Sequence, residues 1–263
     1  MAFLQSLGYA PIYGINEFPT FRYYDEMFRD SAFRISLFYT FYYSLVPTVA
    51  GTALSVYLAL SIRKKFRQKK PFQYIYKLPL MIPYLVGVAL VIELFTPGGI
   101  LARIFFATGL IHHPSEFPQL LKTEWGWGVM TVYLWKQIPF TTLIVYSVLM
   151  GLGREFEAEA STLGANRRQA FWHVTFPQII PGIVAATLIC FPFNFNSFEV
   201  PYILGADFPN TLPVQAWMTF DNADYTMRLG AMAICMTISF ISGVLLLSYL
   251  LIYRRYERKR GRQ

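Results

Sequence analysis

The chain has 263 residues, is 55% apolar and only 14% charged, and has a mean hydropathy of +0.38. Soluble chains carry about 25% charged residues, so too few polar side chains are present to cover a soluble globule of this size. The same composition excludes a disordered chain and a disulfide-rich secreted scaffold. The net charge of +8 gathers at the ends of apolar runs, where membrane topology places Lys and Arg, so no nucleic-acid partner is expected.

Residues 1–33 read as an outer, periplasmic segment that does not span. Aromatic residues mix there with Glu17, Asp25, Glu26 and Asp30, and a short helix is expected over 23–30. The start has no basic n-region, so no cleavable signal peptide is expected. Two runs carry no charge at all, 28 residues between Arg34 and Arg63 and 25 between Arg228 and Arg254. Each exceeds the roughly 20 apolar residues that cross a bilayer. Five spanning helices are predicted, over 35–62, 78–95, 125–152, 179–204 and 229–253. The expected fold is all-α, a polytopic transmembrane helical bundle forming one integral domain over 34–253, followed by a basic tail over 254–263. Pro139, Pro181, Pro192 and Pro201 fall inside spans and predict kinks whose freed carbonyls find other donors.

Sixteen basic residues fall on one side of these spans and six on the other, with four and nine acids respectively. The basic side is the cytoplasmic one: the tract Arg63, Lys64, Lys65, Arg67, Lys69, Lys70 and Lys77, the loop residues Arg154, Arg167 and Arg168, and the tail. The N-terminus is then outside and the C-terminus inside. The tract over 63–70 also suits anionic lipid headgroups, although its topological role needs no such addition. Cys190 and Cys235 lie in predicted spans without a CxxC pattern and read as small buried apolar residues. His112 and His113 are adjacent, which does not suit two ligands on one helix face, and His173 reads as a packing or capping residue. No metal site is expected.

The informative stretch is the cytoplasmic loop over 153–178. Residues 154–163 predict a short helix with acids in its first turn, favoured by the helix dipole. Gly164 ends it. A second amphipathic helix over 166–174 presents Ala170, Phe171 and Val174 on one face; Pro177 ends that helix and Pro181 opens the next span. A compact helix–glycine–helix ridge of this kind suits a groove on a soluble partner.

With these residues the chain resembles the integral membrane permease subunits of bacterial ABC importers that depend on a substrate-binding protein. Their cytoplasmic loop reads roughly E-A-A-x-x-x-G-A, five residues, F-x-x-I-x-x-P-x-x-x-P, and Gly164, Ala165, Phe171, Val174, Pro177 and Pro181 fall at the matching positions. The usual Glu is Ala158 here, flanked by Glu157 and Glu159. Thr40, the group Trp135, Pro139 and Phe140, and the stretches Ser197–Pro201 and Thr211–Val214 are similar to the family as well. Leu163 is more like the polyamine, iron and thiamine importers than the sugar permeases. Family members often carry one more spanning helix before the outer segment; the expectation is either a five-span version or a first helix that lies outside this sequence.

The resemblance implies a type I importer permease in the bacterial inner membrane that forms the translocation pathway. Its implied partners are two ATPase subunits, a second permease subunit (identical or homologous), a periplasmic or lipid-anchored substrate-binding protein, and membrane lipids. Glu157, Glu159, Ala160, Gly164, Ala165, Arg167, Phe171, Pro177 and Pro181 are the implied ATPase-coupling residues, with a salt bridge to the ATPase expected from an acid of this loop. No phosphate-binding glycine loop is present, so no cofactor is expected in this chain; ATP and Mg belong to the partner subunits and the chain is not expected to be an enzyme. Ionisable residues inside spans are costly and face a cavity or a partner. Glu93, Lys136 and Glu199, with Asn194, Asn196 and Ser197, are the candidate pathway residues; the two acids favour a small polar or cationic solute, and the resemblance at Leu163 leans it to the polyamine type. A sugar, iron or anion permease is the alternative within the class. A secondary transporter or a membrane-embedded enzyme is the alternative outside it, although no internal repeat supports the first and no catalytic pair at useful spacing supports the second.

Overall fold

A computed structural model describes residues 1–65, 76–152 and 155–260. Arg67, Lys69 and Lys70 of the first basic tract, Arg154 at the start of the loop, and Arg262 in the tail lie outside the described residues. The chain divides into two units, one formed by 1–44, 84–131 and 192–263 and the other by 45–83 and 132–191.

The first unit opens with a short helix α1 (Ala2–Ser6), a two-residue antiparallel pair β1 (Tyr9–Ala10) and β2 (Ile15–Asn16), and α2 (Arg22–Arg29). The expected outer helix is therefore present, shifted by one residue. Its ends are set by charge: Asp25 and Arg29 pair one turn apart, and Asp30 stops it. Asp30 then accepts the amide of Ala32 at 2.9 Å, the N-cap interaction that opens a helix, and α3 (Ser31–Lys65) begins. Along α3 the hydroxyls of Thr40, Ser44 and Ser55 each donate to the carbonyl four residues back at 2.6 Å, so polar side chains enter an apolar helix with their hydrogen bonds satisfied.

In the same unit Tyr84–Phe95 (α5) and Ile100–Ala107 (α6) are separated by Pro97, Gly98 and Gly99. After the second unit come Glu199–Leu204 (α11), Leu212–Phe220 (α12) and Met227–Arg260 (α13). The loop before α12 is tied to the first long helix: Ser36 Oγ donates to Asn210 Oδ1 at 2.7 Å and the Leu212 amide donates to Thr40 Oγ1 at 2.8 Å. Thr40 thus satisfies a donor that the first turn of α12 leaves open. Gly126, at φ +62°, lets the backbone pass the Tyr43 ring, where a Cβ would stand 2.5 Å from the nearest ring carbon. Arg228, at the start of α13, lies against the Tyr13, Phe220 and Tyr225 rings and donates to the Tyr13 hydroxyl, which fastens the N-terminal segment to α13.

The second unit holds α4 (Leu78–Met81), α7 (Trp127–Gly151, most of it), α8 (Glu155–Thr162), α9 (Arg167–Ala170) and α10 (Phe176–Phe195, to Phe191). Its core is Ala59, Val145, Leu149 and Ile179, with Val56, Tyr146, Phe176 and Ile183 packed against it.

Among the described residues four helices are long and apolar enough to cross a membrane, over 31–63, 84–107, 167–195 and 227–255. Two expected boundaries are corrected. The second span does not begin at 78. Ile82 is extended, as the residue before a proline tends to be, and the spanning stretch starts at Tyr84. The fourth does not run on to 204. It starts earlier and ends at Phe195, where the Asn196 side chain donates to the Pro192 carbonyl at 2.8 Å and closes the last turn. The expected third span is the 25-residue helix α7. Along it Val129, Val132, Tyr133 and Val145 are fully buried, and so are Thr141 and Thr142.

Candidate functional site

The loop over 153–178 is built from two helix ends and a corner. In α8 Glu157 lies in the first turn, where the positive end of the dipole favours an acid, and Glu159 follows in the second half of the helix. The helix closes on Gly164 at φ +84°. The Gly164 amide donates to the Ser161 carbonyl and the Ala165 amide to the Ala160 carbonyl. These are the two bonds of a Schellman cap, with Ala160 and Ala165 at the two positions that touch across it. The Ala-x-x-x-Gly-Ala spacing is therefore the residue pattern of one helix terminus. One residue later Asn166 and Gln169 exchange side-chain and backbone bonds, both 2.9 Å, in a capping box that opens the next helix.

That helix does not end at Pro177 as expected. From α9 it widens into a π-helical turn over Phe171–Thr175 and continues as α10. The Phe176 amide reaches back five residues to the Phe171 carbonyl. Pro177 lacks the amide that would reach four residues back, and the wider turn just before it relieves the contact of its ring with the preceding turn. The Phe171, Trp172 and Phe176 rings pack on one another at 5.0–5.8 Å between centroids, and Ala170, at the preceding position, is buried. The loop thus runs into the span as one rod.

Glu157 and Glu159 separate in role. Glu157 Oε1 accepts Arg63 Nη1 at 2.6 Å and Thr175 Oγ1 at 2.7 Å. Its carboxylate is engaged within the chain. Glu159 is exposed, as are Ala158, Arg167 and Arg168. Leu163 is 88% exposed at the corner, and Trp172 and Phe156 elsewhere in the loop are half-exposed. The sequence places Arg63 in a topological cluster and gives no sign of Thr175; no pattern in it marks either as a partner of Glu157.

The candidate pathway residues divide. Lys136 is in the second unit. Its Nζ donates to the carbonyls of Pro79 and Ile82 at 2.7 and 2.5 Å. Pro79 is the residue four before Pro83, so its carbonyl is the one that the proline leaves without a donor, and Lys136 supplies it. Glu93, Asn194, Asn196, Ser197 and Glu199 are in the first unit. Glu199 is not inside a span: it is the exposed first residue of α11, at a helix N-terminus that suits its charge. Helix α11 packs against α5, which carries the exposed Glu93. Asn194 is buried, Ser197 Oγ is buried with no hydrogen-bond partner among the described residues, and Asn196 bonds Ser242. Asn196 opens on a groove of about 360 Å3 shared with Phe198, Trp217 and Cys235. Cys190 is buried as expected, whereas Cys235 is exposed on that groove. Among the described residues no group of three His, Cys, Asp or Glu side chains forms a metal cluster.

The family of binding-protein-dependent transport system inner membrane components matches residues 51–262. The chain belongs to this family. As an ABC permease component it is a transport protein of the inner membrane rather than an enzyme, and the rival reading as a secondary transporter falls with that membership. The chain is 26% identical to the sulfate transport system permease protein CysT of Escherichia coli, over 87% of this chain and 78% of that protein. It is 27% identical to a probable molybdenum ABC transporter permease of Haloferax volcanii over 67% of this chain, spanning 59% of that longer protein. The maltodextrin permease MdxF of Bacillus subtilis is 25% identical over 67% of this chain and 43% of that protein. The fold matches that of a bacterial ABC transporter importing the acidic polysaccharide alginate, with a TM-score of 0.76, 21% identity, and 90% and 84% of the two chains covered. A second structure of an alginate transporter, with an alginate-loaded periplasmic protein, matches at 0.77 and 20% identity over 97% and 86%. The permease fold expected from the sequence is the fold observed. The polyamine leaning drawn from Leu163 finds no support among these relatives, and the reason is physical: Leu163 sits at the exposed tip of the loop, where nothing ties it to substrate.

Proposed function

We propose that this chain is the membrane-spanning permease subunit of an ATP-driven importer and that the loop over 153–178 is its seat on an ATPase subunit. The observation that carries the reading is the corner at Gly164. Two capped helix ends hold an exposed Leu163 and Glu159 outward on a rod that continues into a span, so a force at the corner reaches the membrane segment. In this reading the domain is the span-bearing 34–253, flanked by the outer segment 1–33 and the basic tail 254–263, with the N-terminus outside and the C-terminus in the cytoplasm. Hydrolysis takes place in separate ATPase subunits that bind ATP and Mg, a second permease completes the pathway, and a binding protein delivers solute on the outer face. Glu159, Arg167 and Leu163 meet the ATPase; Ala160, Gly164, Ala165, Phe171, Pro177 and Pro181 shape the surface; Glu93, Asn194, Asn196, Ser197 and Glu199 lie toward the pathway, and Lys136 acts by holding the break at Pro83. The substrate is a small tetrahedral oxyanion, in line with the sulfate and molybdenum permeases among its relatives, with a saccharide as the second reading from the maltodextrin permease.

The test co-expresses tagged chain with candidate ATPase subunits and measures their retention, ATP hydrolysis, and cellular uptake of radiolabelled sulfate and molybdate. Wild type retains the ATPase, and Glu159→Lys with Leu163→Asp, both on exposed positions, releases it. Equal retention by the double variant refutes the loop as the seat. Oxyanion uptake that persists in Glu199→Gln supports the anion reading; uptake of maltodextrin alone refutes it.

A further inference from the structure

Three elements of the second unit meet at one carboxylate oxygen. Arg63, near the end of α3, and Thr175, in the π turn before α10, both donate to Glu157 Oε1 on α8. The Arg63 side chain is 9% exposed and that of Glu157 37%. An arginine at the end of a long apolar run has water within reach of its flexible stem, and a snorkelling side chain would take it. Arg63 turns inward instead. Topology does not require this, because any Lys or Arg on that side meets the positive-inside rule. Thr175 is equally unusual. A helical threonine ordinarily returns its hydroxyl to the carbonyl three or four residues back, whereas this one reaches across to α8. The π turn sets its direction, and π turns occur frequently at functional positions.

We propose that Arg63, Glu157 and Thr175 form a strut that fixes the docking helix α8 to the ends of two spanning helices, α3 and α10, so that a displacement of α8 is delivered to both. The proposal rests on the reading of the loop as the ATPase seat, but the strut itself is a property of this chain alone. Arg63 and Glu157 are positioning residues. The outer face of α8, with Glu159 and Leu163, is separate from them. Loss of the strut therefore leaves the ATPase bound and wastes the movement it makes.

The test has two arms. In the first, full-length chain in lipid nanodiscs carries a spin label at Leu163→Cys in a Cys190→Ala/Cys235→Ser background. Arg63→Gln and Glu157→Gln raise the ratio of mobile to immobile label about tenfold, the size expected when a partly buried charge-assisted bond is lost. Thr175→Val moves it the same way by less, and the exchange Arg63→Glu/Glu157→Arg restores most of the immobile fraction. Thr175→Val removes no charge and keeps the arm decisive if a charge variant fails to insert. The second arm uses unlabelled chain with its ATPase and binding-protein subunits. The Gln variants retain the ATPase and its basal hydrolysis and lose most of the stimulation by loaded binding protein. Unchanged label mobility in both Gln variants, or an exchange no better than either single variant, overturns the strut. So does release of the ATPase by the Gln variants, which would place these residues in the docking surface. A wild-type chain that holds no ATPase refutes the proposed function, and the label arm still decides the strut.

Discussion

Gly164 offers a perturbation whose physical cause can be isolated. A Cβ built on it meets nothing within 4 Å, and its φ is +84°. Any cost of substitution is therefore conformational rather than steric. A left-handed L-residue costs about 1–2 kcal/mol, and Asn bears this conformation better than Ala because its short side chain bonds locally. Two hydrogen bonds depend on the turn, those from the Gly164 and Ala165 amides. Raising the energy of the closed corner by about 1.4 kcal/mol changes its open-to-closed ratio about tenfold. Hydrogen exchange of the Ala165 amide in nanodisc-embedded chain reads that ratio directly. Protection should fall in the order Gly, Asn, Ala, Val, with Ala about tenfold below Gly and Asn between them. ATPase retention should follow the same order. A packing explanation predicts instead that damage grows with side-chain volume, which places Ala nearer to Gly than Asn. Equal protection in Gly164→Ala and wild type, or Ala better than Asn, refutes the reasoning.

Two further outcomes follow from the structure. Lys136→Met leaves the Pro79 and Ile82 carbonyls without the donor they now have; at about 1–3 kcal/mol for an unsatisfied buried group, the purified chain should melt several degrees lower. Lys136→Arg keeps a donor for these carbonyls and should recover part of that loss, and no recovery would refute the account of Lys136. Asp224, before α13, accepts the Thr226 hydroxyl and amide, and these bonds hold its carboxyl below the usual carboxylate range. A depressed carboxylate contributes stability that is present above its unfolded value near 4 and is lost as pH falls through the lower folded value. Exchange of the amides at the start of α13 should accelerate over that acid window, and Thr226→Val should flatten the dependence; the same pH profile in both proteins would count against it.

Membrane residence, the helical class and the loop that identifies the family are legible in the residues, because each is a local property. A charge-free run of 28 residues has few other fates. Glycine at a left-handed position, the backbone bonds of a helix cap and an Asn–Gln capping box are short-range chemistry, and the spacing of Ala160, Gly164 and Ala165 carries it without reference to the rest of the chain. The helix after residue 21 is legible for the same reason, since Asp30 both ends it and caps the next. The places where reading fails are those where a distant group completes a local defect. Pro177 reads as a helix end, yet a π turn carries the helix past it. Lys136 reads as a pathway charge, yet it serves a carbonyl orphaned by Pro83, more than fifty residues earlier. Glu157 reads as a partner for another subunit, yet it is taken by Arg63, ninety-four residues away. A hydrogen bond between such positions leaves no periodicity or spacing in the sequence. Only the packing of the helices brings the donor to the acceptor, and that packing decided which of two neighbouring acids, Glu157 or Glu159, faces inward.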